Sequence, residues 1–282
     1  MTGFVIGAVL ISFSSVMVKL ANVPPDVAGF YRLFAGGLGM TVILWRLGKL
    51  RRMTPHVWRW SLVSALFFAA DFFCWHRSIG LVGPGLATML ANFQVIVLTG
   101  VSILFLKERV SRPFLLAIPM AMAGLYLMVG VSWASFTPDF RLGVGYGLLT
   151  ALFYSLYLLA LKFSLTRAGA DPLAMAGSVA LITGLMLGGL GAAQGDSFAI
   201  PDTRSLLALA ALALICPAIG WYLLTRGIQQ VRTSLVGLIL LLQPTLSYVW
   251  DILLFDKPTS PVELTGVALA LTAIYLGSLR RE

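Results

Sequence analysis

Apolar runs of about 20 residues recur along the whole chain, near 3–21, 27–48, 57–80, 84–106, 112–131, 142–165, 171–193, 203–228, 232–254 and 260–279. A helix rises about 1.5 Å per residue, so each run is long enough to cross a hydrocarbon core of about 30 Å. The runs do not alternate polar and apolar, as the wall of a membrane barrel would, and helices are then the form that satisfies the backbone in lipid. Between them lie short segments rich in Gly, Pro, Asp and Ser, such as "NVPPD", "GLVGP", "TRAGADP" and "FDKPTSP"; these are turn formers, and none of the segments is long enough to hold a further domain. The pattern predicts an all-α polytopic membrane protein of ten transmembrane helices.

Two stretches repeat the same plan. "LATMLANFQVIVLTGVSILFLKERVSRP" at 86–113 and "LVGLILLLQPTLSYVWDILLFDKPTSP" at 235–261 each carry one glutamine inside an apolar run. Gln94 and Gln243 are 149 positions apart, and the same offset pairs Arg77 with Arg226, Ile79 with Ile228 and Tyr126 with Tyr275. An offset of 143 pairs Lys19 with Lys162, and 145 pairs Asp26 with Asp171 and Gly39 with Gly184. Spans one to five therefore match spans six to ten, giving repeats at 3–131 and 142–279. Five is odd, so the halves cross the membrane in opposite senses. Inverted repeats of this kind build many secondary transporters, with the substrate site expected near the midplane at the repeat interface.

Composition fits this reading: 59% of the 282 residues are hydrophobic and 11% charged, more apolar side chain than a water-soluble domain hides. Twenty Lys and Arg against eleven Asp and Glu raise the possibility of nucleic acid, but the basic residues sit at the ends of apolar runs, as a membrane surface requires. With a cytoplasmic N-terminus, the inner side holds Arg46, Lys49, Arg51, Arg52, Arg59, Lys107, Arg109, Arg112, Lys162, Arg167, Arg226, Arg232, Arg280 and Arg281. The outer side holds only Lys19, Arg77, Arg141, Arg204 and Lys257, with Arg32 inside the second span and unassigned. The imbalance predicts both termini inside. Trp58 and Trp60 suit an interfacial anchor or packing. No basic segment precedes "GFVIGAVLISFSSVMV", so the first run is expected to stay as a span rather than be cleaved. Cys74 and Cys216 both lie in apolar runs, which argues against a disulfide framework, and no metal ligand set accompanies them.

Few polar groups lie inside the spans. Asp71 is the one acidic residue well inside, and an Asp there costs about 2.5–3.5 kcal/mol on insertion scales unless it meets water or a partner. Trp75 and Ser78 lie one and two turns along its helix face, whereas His76 points about 140° away. Asn92, Gln94 and Gln243 either bond across helices or line a cavity. Tyr154, Tyr157, Trp221, Tyr222, Tyr248 and Trp250 offer aromatic faces, of which Tyr157, Trp221 and Tyr248 are the candidates for stacking on a flat substrate. Pro119, Pro217 and Pro244 interrupt predicted helices and are candidate hinges. Gly184 and Gly188 form a small-xxx-small pair suited to close helix packing.

Two histidines, two isolated cysteines and one mid-span aspartate do not assemble the nucleophile–base pair, carboxylate dyad or metal cluster that intramembrane catalysis needs. No phosphate-cradling loop is present. An enzyme is therefore not expected, nor is a cofactor or a metal. A channel would concentrate polar rings along its length, whereas here the polar groups gather near the middle.

"SFSSVMVKLANVPPDVAGFYRLFAGG" and "GPGLATMLANFQVIVLTGVSILFLKERVSRPFLLAIPMAMAGLYLM" resemble the first EamA unit of the drug/metabolite transporter superfamily, and 150–279 resembles the second. The segment Lys107 to Arg109 closing the fourth span, followed by a fifth span with the late Gly124, is the most specific element. "DFFCWHRSIG" is most similar to the YddG-type exporters of aromatic amino acids. The resemblance implies a multi-pass protein of the bacterial inner membrane that exports neutral, chiefly aromatic amino acids by alternating access. It also implies a substrate site with the Trp75–His76 pair at the cavity. Exporters of other small metabolites or drugs within the superfamily, and a channel-like facilitator, are the alternatives. The chain departs from the family in having Gln94–Val95 where span four commonly has a proline, with Pro244 kept in the second half. It also has Asp256–Lys257 where the first half has Lys107–Glu108, so the acidic residue is not duplicated.

This topology is open to a direct check. Reporters fused after residues 52 and 282 should both read cytoplasm and one after residue 138 the outside, and a disagreement in parity would mean a miscounted span.

Overall fold

The computed structural model describes residues 2–129, 137–167, 169–256 and 258–278. The charges counted at Lys257, Arg280 and Arg281, the repeat ends at 131 and 279, and most of the connection after the fifth span lie outside the described residues. In chain order the helices are α1 (Thr2–Ser12), α2 (Ser14–Ala21), α3 (Pro25–Arg46), α4 (Pro55–Val82), α5 (Pro84–Ala91), α6 (Gln94–Leu104) and α7 (Arg112–Val129). The second half gives α8 (Pro138–Thr166), α9 (Pro172–Gln194), α10 (Thr203–Ala213), a π-helical segment (Leu214–Trp221), α11 (Tyr222–Ile228), α12 (Thr233–Leu240), α13 (Leu242–Phe255) and α14 (Pro261–Ser278). No strand occurs among the described residues. Among the described residues, and taken together across their breaks, nine helices are long and apolar enough to span a bilayer, and the tenth, Arg112–Met128, is a shorter apolar helix. The protein is thus an all-helical, multi-pass membrane protein whose described residues hold ten apolar helices, the number expected from the pattern. Large apolar side chains such as Leu104, Leu116, Leu207 and Leu253 are exposed, as lipid-facing positions should be.

Local sequence explains the helix ends. Asp171 accepts from the N–H groups of Leu173 and Ala174 and starts α9, Asp202 accepts from Ser205 N–H and starts α10, and Ser260 with Glu263 forms a reciprocal capping box on α14. Asp171 also pairs with Arg52. Gly195 ends α9 in the left-handed conformation (φ 79°) that glycine adopts without strain.

Three spans are broken where the apolar pattern predicts continuity. The first parts at Phe13, beside a serine-rich "SFSS" whose Ser12 hydroxyl bonds back to Val9 O at 2.6 Å, drawing that carbonyl from the helical ladder. The fourth parts at Asn92–Phe93 and the ninth at Leu241, positions that differ by the 149-residue offset (241 − 92). The causes differ. Pro244 removes an N–H from the ninth span, while in the fourth the Asn92 side-chain amide donates to Thr88 O at 2.7 Å and the local bonds tighten to i−3. Pro217 lies in the π-helical segment, whose wider winding accommodates the lost N–H. Pro119 lies within an unbroken α7.

The chain forms two compact units, one of residues 1–69 with 156–230 and the other of residues 70–155 with 231–282. Both repeats contribute to each unit.

In the first unit α3 and α9 run antiparallel at close range. A Cβ built on Gly37 would lie 2.7 Å from Leu181 N, one on Gly184 2.7 Å from Phe34 N, and one on Gly188 2.7 Å from the Phe30 ring. α1 packs in the same way on α11 and the π-helical segment, with Gly7 against Gly220 O and Gly227 against Phe4. Trp60 packs on Phe163 with ring centroids 4.8 Å apart, while Trp58 is exposed.

In the second unit α7 packs on α14 through Gly124 and Gly266, each meeting the other's backbone. Gly143 of α8 lies against Leu81 and Val82 of α4, and Gly147 against Ser78. Gly237 of α12 meets Val95 of α6.

Where backbones approach this closely, side chains have nowhere to go. Gly184→Leu should cost about 1–3 kcal/mol through overpacking, read as a lower unfolding temperature of the purified protein, while Gly39→Ala, which meets nothing within 4 Å, should be neutral or mildly stabilising.

Candidate functional site

The sequence-selected residues divide between the units. In the first, Phe68 of α4, Tyr157 of α8 and Trp221 form an aromatic cluster. Tyr157 stacks on Phe68 (centroids 4.4 Å, planes 12° apart), and both meet Trp221 edge-on at 5.8 and 5.1 Å. Tyr157 is 2% exposed. The cavity beside them, also lined by Leu33, Leu161 and Thr225, is about 10 Å³, room for about one water molecule. Their faces are therefore already occupied by one another. Phe68 was not singled out from sequence; the signal available was its place one turn before Asp71.

Arg32, left unassigned by the charge count, is also in the first unit. Its Nη1 donates to Ser14 Oγ at 2.9 Å, at the start of α2 beside the break at Phe13.

The second unit gathers the remaining candidates. Asp71 on α4 is buried, 8% exposed. One turn on, Trp75 and His76 pack together at 5.4 Å, and Phe72 meets both. The 140° separation of His76 from Asp71 thus coexists with direct contact between His76 and Trp75. Ser78 is fully buried and donates to Gly143 O at 2.8 Å, tying α4 to α8. Asn92 closes the break in span four. Tyr248 belongs to the apolar core cluster of α7, α12 and α14, with Glu263 of α14 near its hydroxyl.

Gln94 and Gln243 are set apart by position: they occupy equivalent places in the two repeats. Each falls in the first turn of a half-helix that starts after a break, α6 and α13 respectively. Gln94 is 3% exposed, and its Oε1 has no hydrogen-bond partner among the described residues; the same holds for the buried Nε2 of Gln243. An unpartnered buried amide costs about 1–3 kcal/mol. One of the two presents an unused acceptor and the other an unused donor, each beside the positive end of a half-helix. Among the described residues no group of three or more His, Cys, Asp or Glu side chains is placed to hold a metal ion.

A second feature of this unit is an apolar groove of about 580 Å³ lined by Phe93, Ile96, Thr99, Gly100, Ile103, Leu115, Ile118, Pro119 and Met122. It lies between α6 and α7 and takes in the proline proposed from sequence as a hinge.

No curated protein matches the chain in sequence. A solved structure titled only "Crystal structure of protein" superposes with a TM-score of 0.83 at 19% identity, covering 99% of this chain and 98% of that one; the likeness is one of fold. A sequence profile of the EamA-like transporter family matches residues 1–130 and again 141–279. Matched across nearly its whole length by a profile that fits twice, the chain belongs to the EamA-like transporter family.

Proposed function

We propose that the protein is a secondary carrier that exports neutral, chiefly aromatic amino acids across the inner membrane by alternating access. The observation that carries the reading is the pair of broken helices at equivalent positions, each followed by a buried glutamine with an unused polar atom. Discontinuous helices expose half-helix ends inside the membrane, and carriers use such ends to hold charged substrate groups. Gln94 Oε1, with the C-terminal carbonyls of α5 at the same break, is suited to an ammonium, and Gln243 Nε2 with the α13 N-terminus is suited to a carboxylate. Trp75, His76 and Phe72 supply rings in the same unit. Tyr157 and Trp221 act in this reading as packing of the first unit, because Tyr157 stacks on Phe68 and Trp221 closes on both edge-on.

Such a site selects zwitterions with apolar side chains and rejects a net-charged side chain that it cannot solvate. Selectivity among apolar side chains is shallow, since one methylene is worth about 1–3 kcal/mol.

In proteoliposomes, flux should saturate and be stimulated by exchange; nonsaturating flux would make the protein a channel. Phenylalanine, tryptophan and methionine should compete, while lysine, glutamate and nucleotides should not. Efficient lysine transport would end the neutral-site reading. Trp75→Ala should weaken tryptophan transport about two- to tenfold more than threonine transport, because an aromatic pair contributes about 0.5–1.5 kcal/mol. Equal loss for both would place Trp75 in the scaffold. Gln94→Leu should raise the half-saturation concentration for every amino acid alike, and an unchanged value would remove Gln94 from the site.

A further inference from the structure

Past the end of α6 the chain folds back on itself. Phe105 and Leu106 N–H both reach Val101 O, Glu108 N–H reaches Ser102 O at 2.9 Å, and Lys107 takes a left-handed conformation (φ 52°). This turn carries the Glu108 carboxylate to the start of α12. Oε1 accepts the Thr233 N–H at 2.9 Å, and Oε2 accepts both the Ser234 N–H at 3.2 Å and the Ser234 hydroxyl at 3.0 Å. The residue in the N-cap position of α12, Arg232, makes no side-chain cap bond of its own. The cap of one half-helix is thus supplied by the turn that follows the other, 125 residues away in sequence. Burial works to raise the pKa of Glu108, but its bonds to Thr233 and Ser234 outweigh it and hold the carboxyl below its usual value. Negative charge at a helix N-terminus is favourable in its own right.

The repeat makes a counterpart at the other end easy to look for. Shifted by 149 positions, Lys107 becomes Asp256, which shares the left-handed backbone (φ 47°). The same shift turns Glu108 into Lys257, and in the opposite direction Thr233 and Ser234 become Pro84 and Gly85. Lysine offers no acceptor, and Pro84 has no N–H to give. The left-handed residue is duplicated, but the bonding chemistry that follows it is not. Packing follows the same division: α6 lies on α12, where a Cβ on Gly237 would come within 2.8 Å of Val95 Cα, whereas the counterpart pair α5 and α13 makes no comparable contact among the described residues.

We propose that Glu108 is a latch that holds the end of α6 against the N-terminus of α12, so that passage at this end requires the three bonds to open. Without an equivalent among the described residues at the other end, the resting carrier is biased toward closure here, on the face that the charge count assigns to the cytoplasm. The proposal rests on the carrier reading but not on any particular substrate, and its test needs none.

Nitroxide labels at Leu106→Cys and Arg232→Cys, both exposed positions, in a background of Cys74→Ala and Cys216→Ala, report the separation of the two ends through dipolar broadening. The full chain in nanodiscs should give a broadened spectrum. Glu108→Ala should raise the unbroadened fraction about tenfold, the scale on which charged hydrogen bonds shift an equilibrium. An unchanged spectrum from folded Glu108→Ala would overturn the latch. Where that variant does not fold, Ser234→Ala decides: it loses one hydroxyl bond and should give a smaller rise in the same direction, and no rise would equally overturn the proposal. Loss of aromatic amino acid flux with the latch response intact would instead count against the substrate reading alone.

Discussion

Close contact between antiparallel helices at glycine is the constraint on which the rest of the structure depends. In lipid, burying an apolar face gains little over leaving it among acyl chains, so helices associate where backbones can approach and dispersion contacts accumulate. Gly37, Gly184 and Gly188 provide this between α3 and α9, Gly7, Gly220 and Gly227 between α1 and its partners, and Gly124 and Gly266 between α7 and α14. Each of these pairs takes one helix from each sequence repeat. Compact units therefore cut across the repeats, and the unit boundaries fall inside α4 and α8, at residues 69–70 and 155–156. Sequence similarity records how the chain is written; the glycine contacts record how it is held.

The spans were legible because length and hydropathy alone decide what crosses a bilayer, and Gly184 with Gly188 was legible because spacing of small residues has one main use in a membrane helix. The breaks were only half legible. Pro244 announces the one at Leu241, but the one at Asn92 is made by a side-chain amide reaching its own helix, an act that an asparagine in an apolar run performs only in some settings. Aromatic residues were harder still. Tyr157 and Trp221 offer large faces in the sequence, but periodicity cannot distinguish a ring that faces an opening from a ring packed on Phe68. Ser78 illustrates the same difficulty with a polar group, since its hydroxyl serves the α4–α8 contact through Gly143 O.

Polar atoms within the spans divide by whether the fold uses them. Ser61 and Ser178 satisfy each other at 2.5 Å, Asn92 satisfies Thr88 O, and Thr245 satisfies Leu241 O at the second break. Gln94 Oε1 and Gln243 Nε2 are left over, as are the hydroxyls of Ser64, Thr99 and Thr183, but only the two glutamines fall at equivalent helix breaks. A buried amide atom with nothing to bond is a standing cost of about 1–3 kcal/mol. Two such costs at equivalent points, each beside a helix break that itself sacrifices ladder bonds, are hard to attribute to packing, which an apolar side chain would serve better.

The two halves share a backbone plan closely enough that even the left-handed turns at Lys107 and Asp256 recur. If the side chains at those turns recurred as well, the two ends of the α6–α12 and α5–α13 pairs would be held equally, and neither conformation would be preferred. Directional bias in an inverted repeat must therefore come from positions where the backbone repeats and the chemistry does not. Glu108 against Lys257, with Ser234 against Gly85, is such a position. It lies outside the apolar spans, where a carboxylate can be exchanged for an ammonium without the cost that a charge incurs inside the bilayer. In the proposed alternating-access reading, the repeat supplies the geometry common to both states, and loop residues such as Glu108 set the balance between them.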